Sequence, residues 1–547
     1  MSFGCDSVTP DGTLLGSIDT MSQTISRRRL LHLVGATAGS AAAYQTAIGL
    51  GMMSDAKAIS RPDLVPVVQG ARRVLILGAG IAGLTAAYEL SRKGYDCIVL
   101  EASHRAGGRN LTLRHGDLVD EIGNPQTCAF DDEPDLYLNA GPARIPGHHT
   151  TLLEYCKELG VELAPFINEN RNAWVQDDAV FGGKPVRNRE YVTDARGFLA
   201  ELTTKCVSAK HLDAAVTSDD ADRLLAFLRA FGDLSPGNLY KGSTRAGLMD
   251  VDYTVPEQLK QVRNLPELLK SGLWQVVMQF GETEDQAAMM MEPVGGMDKV
   301  VQGFTAKVGH LVRRHCMVES VMLKEKGVDV VYRGPQGREK LTADFCLNSI
   351  PFQLMAGIPN NFPADYAQVL TAVPRGKLFK IGLQMRERFW EKEQVYGGIS
   401  WTTQDITQIW YPCHGIHRSK GVVLGAYVFG GGASDRFERL APAQRLEAAI
   451  SQGEKMHPGL YRKNVENGVS IPWHRMNHML GCAAEWDPET REKHFLRIQS
   501  PAGRHYMIGD QVSYHSGWQQ GAMHSALHAV SDIDKRVRAD FGKGIAA

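Results

Sequence analysis

The rhythm of apolar and polar positions changes at Arg72. Before it, Ser26-Arg27-Arg28-Arg29-Leu30-Leu31 opens a weakly apolar, Gly/Ala-rich stretch, LLHLVGATAGSAAAYQTAIGLGMM, interrupted by His32 and Gln45. After it, VLILGAG reads as a short buried strand running into a glycine turn. IAGLTAAYELSRKG reads as an amphipathic helix ended by Gly94, and DCIVLEAS as a second buried strand. Strand, helix and strand make a βαβ unit, which predicts a parallel sheet with a right-handed crossover. Helical periodicity then dominates residues 183–285, broken by polar loops such as SDDADR and GDLSPGN. Alternation returns in VESVMLKEKGVDVVYRG, the pattern of a β-hairpin or meander. HYMIGD is a late strand, and a terminal helix follows from about Gly517.

A chain of 547 residues is too long for one ordinary core, so two or three domains are expected. The formal net charge of -1, with no dominant basic run, argues against a nucleic-acid partner and leaves substrate charge open. Nine cysteines are scattered with no CxxC pair and no Cys/His cluster at metal-ligand spacing, so free buried thiols and no metal are expected. The basic residues from Arg27, the apolar stretch and Ala56-Lys57-Ala58 make an export signal with a small-x-small cleavage site. The paired arginines resemble the twin-arginine type. A membrane anchor is the competing reading, but the stretch is too weakly apolar for a span. The expectation is a cleaved signal with no stable membrane anchor, hence a periplasmic or secreted protein. Met21 is an alternative start.

The first motif with chemistry is Gly78-x-Gly80-x-x-Gly83, placed after a strand and opening a helix. The first glycine makes the tight turn, the second lets backbone approach a pyrophosphate, and the third lets helix pack on strand. The phosphates then meet the positive helix N-terminus. Glu101 ends the second strand, where an acidic side chain accepts a ribose hydroxyl bond and disfavours a 2′-phosphate, so NADP is not expected.

Ala106-Gly107-Gly108-Arg109, then Gly509-Asp510 and Gly517-Trp518-Gln519-Gln520-Gly521-Ala522, resemble motifs of the flavin amine oxidase and L-amino acid oxidase superfamily, which includes the monoamine oxidases. The resemblance runs in pieces from Arg72 to the C-terminus. It implies FAD and an α/β fold: a Rossmann-like FAD-binding domain, a mixed-sheet substrate domain and a helical insertion. The expected segments are a leader over 1–65, FAD-binding pieces at 66–124, 286–372 and 491–547, substrate-domain pieces at 125–182 and 373–490, and a helical domain at 183–285. A homodimer is expected. The cofactor set implied runs through Gly78, Ala79, Gly80, Ile81, Ala82 and Gly83, then Glu101, Ala102, Gly108 and Arg109. It continues through Gly141, Pro142, Ala143 and Arg144 to Val318, Trp473, Gly509, Asp510, Gly517 and Trp518. Asp510 would bond the ribityl chain.

Asn139-Ala140-Gly141-Pro142-Ala143-Arg144-Ile145-Pro146 resembles the L-amino acid oxidase segment whose arginine binds the substrate carboxylate. A guanidinium fork matches a carboxylate, whereas a lone arginine elsewhere would sit in a surface salt bridge. The resemblance further implies that Tyr427 bonds the same carboxylate and that Gly517 offers its carbonyl to the substrate amine. Lys380, on the apolar strand KIGLQM, would hold a water beside the flavin, while Lys377 faces solvent. Trp473 would lie beside the flavin and Trp518 would wall the substrate channel, with Ala483 where monoamine oxidases have a second aromatic. Cys482 follows Gly481 as in the monoamine oxidases, whose cysteine is joined to the flavin. Thioether attachment and simple packing both stand, since Leu480, Ala483 and Ala484 offer no activating charge. Glu485 could meet a basic substrate side chain or be merely solvated.

The expected reaction is oxidation of an L-amino acid by oxygen to a 2-oxo acid, ammonia and hydrogen peroxide. The alternatives are an amine or polyamine oxidase, an amino acid monooxygenase, and a flavin-binding protein without catalysis.

Overall fold

The computed structural model describes residues 61–67, 72–208, 217–249, 254 and 256–544. The export signal and Ala56-Lys57-Ala58 lie outside the described residues. The expected leader, however, runs five residues too far. Leu64 is in the core, the Val65 amide donates to Asp534 at 3.1 Å, and Arg61 bridges Glu89 and Glu158. An apolar side chain flanked by an arginine with two carboxylates in reach packs rather than trails. Among the described residues, no helix is long and apolar enough to cross a membrane.

Five parallel strands form one sheet in the order Val312–Arg313, Asp96–Leu100, Arg73–Leu77, Phe345–Asn348 and His505–Met507. In chain order these are strands three, two, one, four and five, the doubly wound arrangement whose order reverses beside the first strand. The helix Ile81–Ser91 departs from its amphipathic reading, because every residue from Ile81 to Leu90 is buried. It lies between the sheet and two other helices, Lys299–Val308 and Gln519–Gly544, so it has no solvent face. Its polar members are satisfied internally: Thr85 Oγ1 donates to the Ile81 carbonyl at 2.8 Å, and Glu89 accepts from Tyr155 at 2.7 Å.

A second sheet of seven strands runs Val186–Arg187, Trp174–Gln176, Ile399–Thr402, Gln408–Trp410, Gly421–Phe429, Leu378–Met385 and Val465–Pro472. All its pairings are antiparallel except that of Trp174–Gln176 with Ile399–Thr402. Val186–Arg187 belongs to this sheet, so the helical insertion begins at Asn188 and not at residue 183. Met290–Pro293 pairs with Ile145–Pro146 and Leu163–Phe166, which ties the start of the expected 286–372 segment to the expected 125–182 segment. Strands Met317–Lys324, Gly327–Gly334 and Gly337–Ala343 form the meander. Between the five- and seven-stranded sheets lies a cavity of about 460 Å³.

Candidate active site

The cavity collects the dinucleotide motif at the C-terminal edge of the parallel sheet. The helix Ile81–Ser91 begins at Gly80 with no side-chain cap and no acidic residue in its first turn, so its N–H groups are free for an anion. A Cβ built on Gly80 would meet nothing within 4 Å, whereas one on Gly83 would lie 2.0 Å from the Gly78 carbonyl oxygen. Gly80 thus leaves room for a ligand and Gly83 for close helix–strand packing. Glu101 is 5% exposed, and its two oxygens accept from the Ala79 and Ser103 amides at 2.7 and 2.8 Å. Each keeps acceptor capacity for a ribose hydroxyl.

Asp510 is buried across the cavity from that motif. Arg109 grips both its oxygens, and the Gly517 amide donates to Oδ2 at 2.8 Å. Burial alone would raise the Asp510 pKa, but the adjacent guanidinium overrides it and holds the carboxyl below its ordinary range. The two glycine-rich fingerprints and the late Gly509-Asp510 motif therefore converge, although about 400 residues separate Arg109 from Asp510.

Lys380 sits on the strand Leu378–Met385, flanked on both sides by other strands of the seven-stranded sheet, and its eight residues are all buried. Its Nζ donates to the Asn139 carbonyl at 3.1 Å and the Gly141 carbonyl at 2.5 Å, and lies 4.4 Å from the centre of the Tyr427 ring, its cross-strand neighbour. Desolvation, then the nearby Arg144 charge, pushes its pKa down to about 7. Lys377, three residues earlier, is exposed and paired with Asp435 and Glu438. Trp473 is buried and donates to the Ala140 carbonyl at 2.9 Å. Lys380 and Trp473 together pin the backbone that leads to Arg144, a fastening role no spacing in the sequence indicates.

Arg144 is held among aromatic rings. Its Cζ lies 4.6 Å from the centre of Trp410, 5.8 Å from Trp518 and 5.9 Å from Phe280. Its one hydrogen bond goes to Gln286 Oε1, and its Nε is buried without a partner. Burial lowers its pKa to about 10, with no carboxylate bonded to it to offset the cost. Next to Gln286, Asp285 accepts from His148 and His149 at 3.0 and 3.2 Å, and His149 meets the Trp518 ring edge-on at 5.0 Å. Trp410, Phe280 and Gln286 come from remote elements, and His149, though close in sequence, carries no motif, which is why sequence reasoning missed them.

Of the residues expected at the site, Ala79, Gly83, Ala143 and Arg144 do not line the cavity. Ala79 and Gly83 build its floor, and Arg144 stands behind Trp518, which does line it. The rest of the expected set, from Gly78 through Val318 to Gly517 and Trp518, lines the cavity itself. Ala483 faces Gly517, 3.8 Å from where its Cβ would be. Glu485 is exposed beside Gly376, the solvated alternative. Cys482 is less isolated than its sequence neighbours suggest. Arg109 and Arg375 both donate to its carbonyl, because the chain folds two guanidinium groups over it. Arg375, which also lines the cavity, was not among the expected residues.

The family described as flavin containing amine oxidoreductase matches residues 81–534. The chain is 26% identical over 493 residues to the flavin-dependent L-tryptophan oxidase RebO of Lentzea aerocolonigenes, covering 85% of this chain and 98% of that protein. It is 26% identical over 491 residues to an L-amino-acid oxidase of Gloydius halys, covering 85% and 89%. Among solved structures, a putrescine oxidase redesigned at its cofactor site superposes with a TM-score of 0.57 at 18% identity, over 87% of this chain and all of that one. Cyclohexylamine oxidase from Brevibacterium oxydans IH-35A gives 0.57 at 17%, again over 87% and 100%. With an uncapped helix N-terminus, an open Gly80 and a buried Asp510 around one cavity, the chain belongs to the flavin containing amine oxidoreductase family, an oxidoreductase whose cofactor is FAD.

Proposed function

We propose that this oxidoreductase oxidises L-amino acids to 2-oxo acids with release of ammonia and hydrogen peroxide. The observation that carries the reading is Arg144. A guanidinium inside the protein, ringed by three aromatic side chains and bonded only to a neutral amide, is a cation lacking its counter-charge. A substrate carboxylate supplies it, in the two-donor geometry that arginine matches best. An amine without a carboxylate leaves that charge unpaired, which disfavours the amine and polyamine oxidase alternative. The L-tryptophan oxidase and L-amino-acid oxidase relatives support the same direction.

FAD, held by the Gly78–Gly83 turn, Glu101, Arg109 and Asp510, would supply two-electron redox chemistry with oxygen as the acceptor. The chain's own part is positioning. Arg144 and Tyr427 hold the carboxylate, and the Gly517 carbonyl accepts from the amine, which must be neutral when Cα–H leaves. Trp518 lines the cavity and abuts Arg144, its ring centre 5.8 Å from the guanidinium carbon. Such three-point holding accounts for much of a rate enhancement, and it makes D-amino acids poor substrates, since their Cα–H would point away. The apolar leader with Arg27-Arg28 and Ala56-Lys57-Ala58 supports export of the folded enzyme.

The test is a peroxide assay over the twenty L-amino acids paired with their decarboxylated amines, run on wild type and Arg144→Met. Turnover of amino acids and not amines is expected. The variant should lose roughly thirty-fold to several thousand-fold in amino acid kcat/KM, the effect of losing a buried charge partner worth ~2–5 kcal/mol. Its flavin content should be unchanged. Wild-type efficiency in the variant, or equal turnover of the amines, overturns the assignment.

A further inference from the structure

Away from the cofactor cavity, the helical insertion and the segment at Arg171 line a second, partly open cavity of about 190 Å³ that shares no lining residue with the first. Its lining is arginine-rich: Arg171, Arg189, Arg196 and Arg245, with Val192, Thr193 and Phe231 between them. The helix Asn188–Ser208 contributes Arg189 and Arg196, and the end of the helix Ser218–Gly232 contributes Phe231 and Gly232. Two chain connections place the remaining arginines. The Arg189 amide donates to the Arg171 carbonyl at 2.9 Å. Arg245 donates to the Ala230 and Phe231 carbonyls at 3.0 and 2.9 Å, capping the second helix.

The charges do not cancel. Arg171 is paired with Glu169 at 2.7 Å and bonded to Asn188 Oδ1 at 3.0 Å. Arg245 uses neutral carbonyls. Arg196 touches only the Phe231 ring, 5.8 Å from its centre, and Arg189 Nε is buried with no hydrogen-bond partner. The nearby carboxylates are engaged elsewhere: Glu190 by Lys260 and Arg263, and Asp194 by Tyr240 and the Arg263 amide. Among the described residues, four guanidinium groups therefore face one cavity with a single carboxylate bonded to them. Arg245 is exposed and the other three are partly exposed, so water softens their mutual repulsion, and a bound anion relieves what remains.

We propose that this cavity is an oxyanion site of the helical insertion, built for a phosphate group, free or as a small phosphomonoester. Three uncompensated positive charges suit a dianion better than a carboxylate. Guanidinium forks match phosphate oxygens bidentately, and the Thr193 hydroxyl adds a neutral donor. At ~30 Å³ per water the volume is roughly six waters, enough for one phosphate with a short carbon stub against Val192 and Phe231. The site is independent of the substrate reading, because none of its residues touches Arg144 or the cofactor cavity.

The experiment titrates the FAD-loaded enzyme with inorganic phosphate, glycerol phosphate, acetate and chloride at constant ionic strength, by calorimetry and thermal melting. Saturable heat and a saturable rise in Tm are expected for phosphate or glycerol phosphate, and for neither acetate nor chloride. The tighter of the two identifies free ion or ester. The double variant Arg189→Met/Arg196→Met should weaken the Kd at least ~30-fold, two charge-assisted partners being lost. Thr193→Glu, which supplies a carboxylate from within, should abolish binding and raise Tm without added anion, and this variant decides if the double variant does not fold. Amino acid turnover in chloride buffer should stay at wild type in both. Equal responses to phosphate and chloride, or unchanged phosphate affinity in Thr193→Glu, overturns the proposal.

Discussion

Single residues at the site are tuned by what surrounds them. Lys380 is the clearest case: desolvation, with Arg144 nearby, brings its pKa down from an ordinary lysine value to about 7. A depressed lysine pKa means that the folded protein disfavours the cation, so Lys380 is charged below pH 7 and neutral above it. We propose that its charge assists electron transfer to oxygen, so re-oxidation should slow as pH rises through about 7. In Lys380→Met that step should be flat with pH and fall furthest below wild type under pH 7, while anaerobic reduction by substrate changes less. Stopped-flow traces of both half-reactions from pH 6 to 9 check this, and an unchanged oxidative profile in the variant removes the role. Cys482 shows the opposite balance. Burial raises its thiol pKa despite Arg109, Arg375 and Lys380, which pull it down. A protonated thiol is a poor nucleophile. Acid precipitation should therefore leave flavin in the supernatant, and a yellow pellet would show that Cys482 is joined to it.

At the scale of elements, the helix Ile81–Ser91 does more than carry a glycine motif. It is the central helix of its layer, touching the parallel sheet, Lys299–Val308 and the terminal helix Gln519–Gly544. Its approach to the first strand depends on Gly83, where a Cβ would fall 2.0 Å from the Gly78 carbonyl oxygen and 3.2 Å from Ile76. Alanine is the better helix former by ~1 kcal/mol, but a backbone contact that short cannot be relieved by turning a side chain. Gly83→Ala should therefore push the helix N-terminus off the sheet and misplace the phosphate cradle. The purified variant should contain little FAD, read as the ratio of 450 to 280 nm absorbance, and melt at lower temperature. Normal flavin content would mean that helix and strand are looser than the geometry indicates.

At the scale of the whole molecule, folding joins segments that the sequence keeps far apart, and its N-terminal edge is sharper than the pattern predicts. The described residues from Arg61 onward form one compact unit. Leu64, 2% exposed, packs in the core around the central helix, and Arg61 binds Glu89 and Glu158 from two different elements. Removing residues 1–60 should leave Tm and flavin content unchanged. Removing residues 1–66 should lower Tm, because burying a leucine contributes about 1.5–3 kcal/mol and Glu89, 5% exposed, loses its nearer cation, Arg61, keeping only Arg92 at 4.0 Å. Parallel melts of the two truncated forms separate these outcomes, and equal melting temperatures would place Arg61–Val65 outside the cooperative unit.

How much of this was legible in the chain follows from how far each determinant reaches. The parallel βαβ unit, Gly78-x-Gly80-x-x-Gly83 and Glu101 are local, because turn geometry and strand–helix packing are set within about thirty residues. The family resemblance added FAD and the motif at Gly509-Asp510 for the same reason: short motifs keep their spacing. Other features had no local signature. The burial of Ile81–Ser91 on all sides comes from two helices more than 200 residues away in the sequence. Whether Lys380 faces solvent or the core depends on its strand being paired on both sides and buried on both faces, not on the strand's own alternation. The guanidinium groups over Cys482, the aromatic ring around Arg144 and the arginine cavity of the insertion are convergences of remote side chains. The sequence by itself determined the dinucleotide cradle. Only the tertiary structure decided which charges are left unpaired around it, since burial and pairing belong to neighbours in space.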